Sequence, residues 1–311
     1  MSKIAFLFSG QGAQTVGMGK ELAENYPAAD AVFDEASENL GLDMKQMIWS
    51  SDEDTLKITE NTQPAIVTMS VAALRVLQQE GICPDVVAGL SLGEYSAHVA
   101  AESLSFADAV KLVRKRGKYM QEEVPVGKGA MAAIIGMDDE AVTAVCEKAQ
   151  EAGIVSPANF NCPGQITVAG EIGAVEKACE IAKEMGAKRA MMLPVSAPFH
   201  CKMLVGAGEK LAREMENVTF SELKVPLITN VTADYVKSAE EIKPLLIRQV
   251  SSSVLWEKSI RRMLADGVDT FIEVGPGKAL SGFMRKISKE VTVLNVEDMK
   301  SLEATLAAVK E

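Results

Sequence analysis

The chain has 311 residues, 48% hydrophobic and 24% charged, with a formal net charge of −11 at pH 7. That length can bury the core of one large domain or two, and the negative balance disfavours nucleic acid, whose phosphates it would repel. The N-terminal apolar run covers only residues 4–8, and no run approaches the ~18 residues of a membrane helix, so neither a signal peptide nor a bilayer span is expected. Cys83, Cys146, Cys162, Cys179 and Cys201 are odd in number and lack C-x-x-C spacing. They are expected to be free thiols in the reducing cytoplasm.

Residues 3–8 read as a buried first strand, followed by the glycine-rich stretch Ser9-Gly-Gln-Gly-Ala-Gln-Thr-Val-Gly-Met-Gly19. Thr15 stands where a dinucleotide fingerprint needs its last glycine. A P-loop is excluded because Gly19-Lys20 is followed by Glu21. What remains is a turn that brings backbone N–H groups and Gln11 close to something. Helical patterns follow over 20–39 and 64–80, the second ending before Gly81.

Residues 86–88 have strand character, and from about Glu94 the chain reads as an Ala-rich helix. Between them lies Gly89-Leu90-Ser91-Leu92-Gly93, a G-x-S-x-G sequence in the strand-to-helix context of a nucleophile elbow. Ser91 would stand at a helix N-terminus, where free N–H groups favour developing negative charge. A serine that merely caps the helix fits the same pattern.

The next helix is expected over 105–121. At about 100° per residue, Phe106, Ala109, Leu112, Val113 and Met120 share one arc, and Lys111, Arg114, Lys115 and Lys118 the opposite one. Arg116 falls inside the apolar arc. A guanidinium aimed inward needs an anion. That anion is either a buried Asp or Glu, or a substrate carboxylate gripped by the guanidinium fork.

Residues 125–195 change character. Strand, helix, strand, strand, helix and strand are expected at 130–135, 138–151, 154–160, 166–169, 172–185 and 189–195. This is the βαββαβ order of a ferredoxin-like unit. Beyond it come a strand at 226–229, helices at 239–249 and 254–265, and strands at 270–274 and 291–295. The expected fold is therefore α/β. A large α/β-hydrolase-like domain (1–124 and 196–311) with a mainly parallel sheet carries the small subdomain as an insert, and the junction is a natural cleft.

A nucleophilic serine needs a base, and the chain has only His98 and His200. His98 lies seven residues beyond Ser91 on the same helix, about 10 Å along its axis, too far for a hydrogen bond. His200 follows a Pro-Phe loop at the domain junction and is the candidate, provided Ser91 is a nucleophile at all. No Asp or Glu is an evident third member, so a backbone or amide carbonyl could fix the imidazole tautomer.

Several separated motifs now combine. They are Phe8-Ser-Gly-Gln-Gly-Ala-Gln14, Thr62-Gln-Pro-Ala65, Gly89-Leu-Ser-Leu-Gly-Glu-Tyr-Ser96, Arg114-Lys-Arg-Gly117, Phe199-His200, Gln249-Val250 and Glu273-Val-Gly-Pro-Gly277. In this order, over nearly the whole chain, they resemble the malonyl-CoA:acyl carrier protein transacylases of fatty-acid synthesis and the acyltransferase domains of polyketide synthases.

The resemblance implies Ser91 as the acylated nucleophile and His200 as its base. It implies the backbone N–H groups of Gln11 and Leu92 as oxyanion hole and Gln249 as the residue that orients the histidine. Arg116 would grip the malonyl carboxylate, and Phe199 would be associated with malonyl rather than branched acyl groups. It further implies malonyl-CoA as substrate, the phosphopantetheine of an acyl carrier protein as acceptor, and no bound cofactor or metal; a monomer is expected. One departure is Leu90, where many relatives carry histidine. A serine thioesterase or esterase could use the same Ser-His pair with water as acceptor.

Overall fold

A computed structural model describes residues 2–195 and 197–310; Ser196, at the expected domain boundary, lies outside the described residues. Among the described residues nine strands are formed: β1 (Ile4–Phe8), β2 (Val86–Gly89), β3 (Gly129–Ile135), β4 (Val155–Cys162), β5 (Gln165–Glu171), β6 (Arg189–Met192), β7 (Leu227–Ile228), β8 (Thr270–Val274) and β9 (Thr292–Val296). They divide into two sheets, β7-β2-β1-β8-β9 and β4-β5-β3-β6.

Every neighbour pair in the five-stranded sheet is parallel. Its strands are apolar runs rather than alternating ones because both faces are covered. Phe6 and Phe8 on β1 point into the core built around the helix Thr59–Gln79. Ala5 and Leu7 point the other way, onto Trp256, Ile260 and Met263. The four-stranded sheet is antiparallel throughout. Its strand order is that of a ferredoxin-like unit, with helices Asp139–Ala149 and Ile172–Glu184 packed in its own core. The small sheet is tied to the segment before the helix Trp256–Ala265 by main-chain bonds: Phe160 N–H donates to Val254 O at 2.9 Å and Val254 N–H to Ala158 O at 2.8 Å.

Element boundaries depart from expectation where proline governs them. The helix expected over 20–39 is two, Lys20–Asn25 and Pro27–Leu40. A residue before proline is driven out of the helical region, and Tyr26 is extended at φ −127°. Conversely, the helix expected to begin at Pro64 begins at Thr59. Proline there deprives only one carbonyl near the helix start of its donor. The strand expected over 189–195 stops at Met192, and 226–229 shrinks to Leu227–Ile228. Helices Met44–Trp49, Glu53–Lys57, Val205–Glu214, Ala279–Ile287 and Met299–Lys310 are present beyond the expected elements.

Candidate active site

The site lies at the carboxyl ends of β1, β2 and β7, where open parallel sheets expose their loops. Ser91 follows β2 and precedes the helix Gly93–Ala100, with φ 51°. A non-glycine residue in that region is uncommon and must be held there by its surroundings. The flanking glycines permit the turn. A Cβ on Gly89 would lie 2.0 Å from Gly93 backbone, and one on Gly93 would lie 2.1 Å from Phe8 O.

Asn230, two residues past β7, fixes the turn. Its Oδ1 accepts the Ser91 N–H at 2.6 Å and its Nδ2 donates to Gly89 O at 2.7 Å.

Ser91 Oγ lies 2.6 Å from His200 Nε2. The opposite ring nitrogen, Nδ1, lies 2.8 Å from the main-chain carbonyl of Gln249. A carbonyl can only accept, so Nδ1 carries the proton and Nε2 is left free to take the serine proton. His200 is buried, and burial followed by the nearby Arg116 charge pulls its pKa down to about 4. The imidazole is therefore neutral at neutral pH. The other histidine, His98, is a core residue whose Nδ1 meets Ser103 Oγ at 2.8 Å.

Arg116 is 2% exposed. Its Nη1 donates to Gln63 Oε1 at 3.0 Å, and its Nη2 to Gln249 Oε1 at 3.0 Å and to Ser91 Oγ at 3.1 Å. Its guanidinium carbon sits 5.7 Å from the Tyr95 ring centre. All of its hydrogen-bond acceptors are neutral, so the buried Asp or Glu that a purely structural ion pair would supply does not touch it. The carboxyl group in the network is Glu94, one amide away from Arg116: Gln249 Nε2 donates to Glu94 Oε2 at 2.9 Å.

Gln11 belongs to the loop after β1, which packs on the elbow: a Cβ on Gly10 would lie 2.7 Å from Leu90 O. Its side chain lies 3.4 Å from Thr59 Oγ1 and 3.5 Å from Gln63 Nε2, beside the residue that holds Arg116. Leu92 is buried directly after the serine. Among the described residues, neither the Gln11 nor the Leu92 N–H has a main-chain acceptor. Phe199 is half-buried and packs against both the main core and a small cluster with Met131, Ala158 and Cys201, spanning the junction of the two sheets. Leu90 packs with residues of the Trp256 core.

Of the residues that the sequence and its family resemblance single out, Ser91, His200, Arg116 and Gln249 form one hydrogen-bonded group, and Gln11 and Leu92 lie on the segments around it. Sequence reasoning missed Asn230 and the partners Gln63, Tyr95 and Glu94. Asn230 had one usable signal, a polar residue just after a strand parallel to the serine strand. An open groove lined by Lys3, Asp85, Lys224 and Arg262 sits elsewhere, at the amino ends of the same strands. Among the described residues, no cluster of three or more His, Cys, Asp or Glu side chains could hold a metal.

This elbow, dyad and fold define an acyl-transferring enzyme: the acyl transferase domain family matches residues 5–305, and the chain belongs to it. Its relatives within that family are more specific. The chain is 50% identical to the malonyl CoA-acyl carrier protein transacylase of Bacillus subtilis, over all of this chain and 98% of that one. It is 46% identical to that of Escherichia coli K12, over 98% of this chain and 99% of that one. The crystal structure of the transacylase from Clostridium perfringens superposes with a TM-score of 0.97 at 50% identity, covering 99% of this chain and 98% of that one. A malonyl-transacylase solved in complex with a type II PKS acyl-carrier protein superposes at 0.96 with 42% identity, covering 99% of this chain and all of the other.

Proposed function

We propose that this chain transfers malonyl from malonyl-CoA to the phosphopantetheine thiol of an acyl carrier protein in fatty-acid synthesis, through a malonyl ester on Ser91. The observation that carries the reading is the contact of one hydroxyl with two groups. Ser91 Oγ meets the neutral imidazole of His200 at 2.6 Å and the guanidinium of Arg116 at 3.1 Å. A base and a carboxylate receptor on one nucleophile suit an acyl group that ends in a carboxylate.

In the first half-reaction Ser91 Oγ attacks the thioester carbon while His200 Nε2 takes its proton. The tetrahedral oxyanion is received by the N–H groups of Gln11 and Leu92. As the C–S bond breaks, His200 returns the proton to the CoA sulfur, leaving malonyl-Ser91. In the second half-reaction the carrier thiol attacks the ester, its proton passing through His200 back to Ser91. The base contributes about 10²–10⁴-fold and each oxyanion donor about 10²–10³-fold. The Gln249 carbonyl keeps the imidazole in the productive tautomer, and Phe199 shapes the acyl end of the site. Neither a cofactor nor a metal enters any step.

The hydrolase alternative differs only in its acceptor. Incubation with malonyl-CoA, with and without carrier protein, decides between them. The proposal expects malonyl-carrier to form far faster than free malonate. Malonate released faster than carrier is loaded would make the chain a thioesterase.

Residues 125–195 are taken as a subdomain inserted between 1–124 and 196–311, and the protein is taken as a cytoplasmic monomer. All five cysteines are free thiols, and no helix among the described residues is long and apolar enough to cross a membrane. An acidic carrier would need a local basic surface on this acidic chain. Lys111, Lys115, Lys118, Lys188, Arg189 and Lys202 are exposed and are the candidates.

A further inference from the structure

Glu94 is a fully buried carboxyl group beside the nucleophile. Its Oε2 accepts the Asn230 N–H at 2.9 Å and the Gln249 side-chain N–H at 2.9 Å. Its Oε1 has no partner among the described residues. The Gln249 amide is thus strung between two charges, its nitrogen facing Glu94 and its oxygen facing Arg116 at 3.0 Å. Carboxylate and guanidinium share one buried pocket at one amide's remove.

With both ionised the pocket is neutral, which is the state a low-polarity interior tolerates. An acyl carboxylate received by Arg116 adds a second negative charge. Arg116 is already cationic, and the Tyr95 hydroxyl is held protonated by burial. His200 is kept neutral by burial and by Arg116. The charged or titratable groups acting on Glu94 are Arg116, from the helix Phe106–Glu123, and Tyr95, from its own helix. The groups that hydrogen-bond to it, Asn230 from beyond β7 and Gln249 from the helix Ala239–Gln249, are not titratable.

We propose that binding of an acyl carboxylate at Arg116 draws a proton from solvent onto Glu94, so that loading a carboxyacyl group is coupled to proton uptake. Oε1 is the oxygen free to take it, since Oε2 already accepts two N–H bonds. The acyl transfer is otherwise proton-neutral, because the Ser91 proton leaves on the CoA thiol. The position of the group suits this role: burial holds the carboxyl up at about 7 against the opposing pull of Asn230, Gln249 and Arg116. A further negative charge nearby raises it again. The inference rests on Arg116 being the carboxylate receptor.

The test counts protons during loading. Protein is mixed with malonyl-CoA in weakly buffered solution with an indicator dye. Adduct is quantified by mass in the same sample, and the ionisation of released CoA is subtracted from its own titration. Uptake should rise toward about one proton per malonyl group near pH 8 and fade below about pH 6, where Glu94 is already protonated. Acetyl-CoA loading should show none, and whatever malonyl adduct Glu94→Gln forms should come without uptake. Full malonyl adduct on the wild-type protein with no proton uptake near pH 8 overturns the coupling and leaves the transferase reading intact. Equal uptake by Glu94→Gln assigns the proton elsewhere and also overturns it. Absence of any malonyl adduct removes the transferase reading and the coupling with it.

Discussion

Gln249 meets His200 through its backbone and Arg116 through its side chain: its carbonyl lies 2.8 Å from His200 Nδ1 while its Oε1 accepts from Arg116 at 3.0 Å. One residue therefore sets the tautomer of the base and the aim of the guanidinium together. Because the two duties fall on different atoms, they can be separated by mutation.

Arg116→Ala removes the carboxylate receptor but not the dyad. A charge-assisted hydrogen bond contributes about 1.5–3 kcal/mol, so malonyl loading should fall roughly 10–150-fold while acetyl loading is spared or raised. Parallel initial rates with malonyl-CoA and acetyl-CoA provide the check. Equal loss for both acyl groups would remove Arg116 from substrate recognition.

Asn230→Ala should behave in the opposite way. It strips the Ser91 N–H and Gly89 O of their buried partners, and each such loss costs about 1–3 kcal/mol. Denaturant unfolding should show a loss of that order. Malonyl and acetyl loading should fall together, because the turn carrying the nucleophile is disturbed rather than the carboxylate site.

His200 is held neutral down to about pH 4 by burial and by Arg116. The rate of acetyl loading, which does not involve the acyl carboxylate, should therefore persist through pH 6 and fail only toward about pH 4. A rate limb at the ordinary histidine value of 6.5 would mean that the imidazole is not shielded as the geometry requires.

His98 supplies a stability test. Burial lowers its pKa to about 3, from an ordinary 6.5. The unfolded chain thus binds one more proton than the folded chain between those values. Stability from this group is complete above 6.5 and is lost as pH falls toward 3, at about 1.4 kcal/mol per pH unit. His98→Gln should flatten the acid side of the stability curve by that slope, as measured by urea unfolding at pH 4, 5 and 6. An unchanged slope would show that His98 charges without penalty in the folded protein.

The parts of the site legible in the sequence are those whose residue types are unusual in their setting. Ser91 sits between glycines at a strand-to-helix turn, Arg116 interrupts an apolar arc, and His200 is one of only two histidines. Asn230, Gln63 and Glu94 were not legible as site residues, because an amide or carboxyl in a helix or loop is ordinary until its neighbours are known. Their partners lie 139, 53 and 136 residues away in the chain, distances over which local periodicity carries no information. The two-sheet fold was readable from the order of strands and helices. The split at Tyr26 and the early helix start at Thr59 were settled by packing and by local proline geometry.

The central claim is the covalent malonyl-Ser91 intermediate, and intact-protein mass spectrometry after brief exposure to malonyl-CoA tests it most directly. The wild-type protein should gain one malonyl group that disappears on addition of holo carrier protein, and Ser91→Ala should gain none. A wild-type protein that transfers malonyl without ever carrying it, or a Ser91→Ala variant that is labelled as fully, would contradict the account.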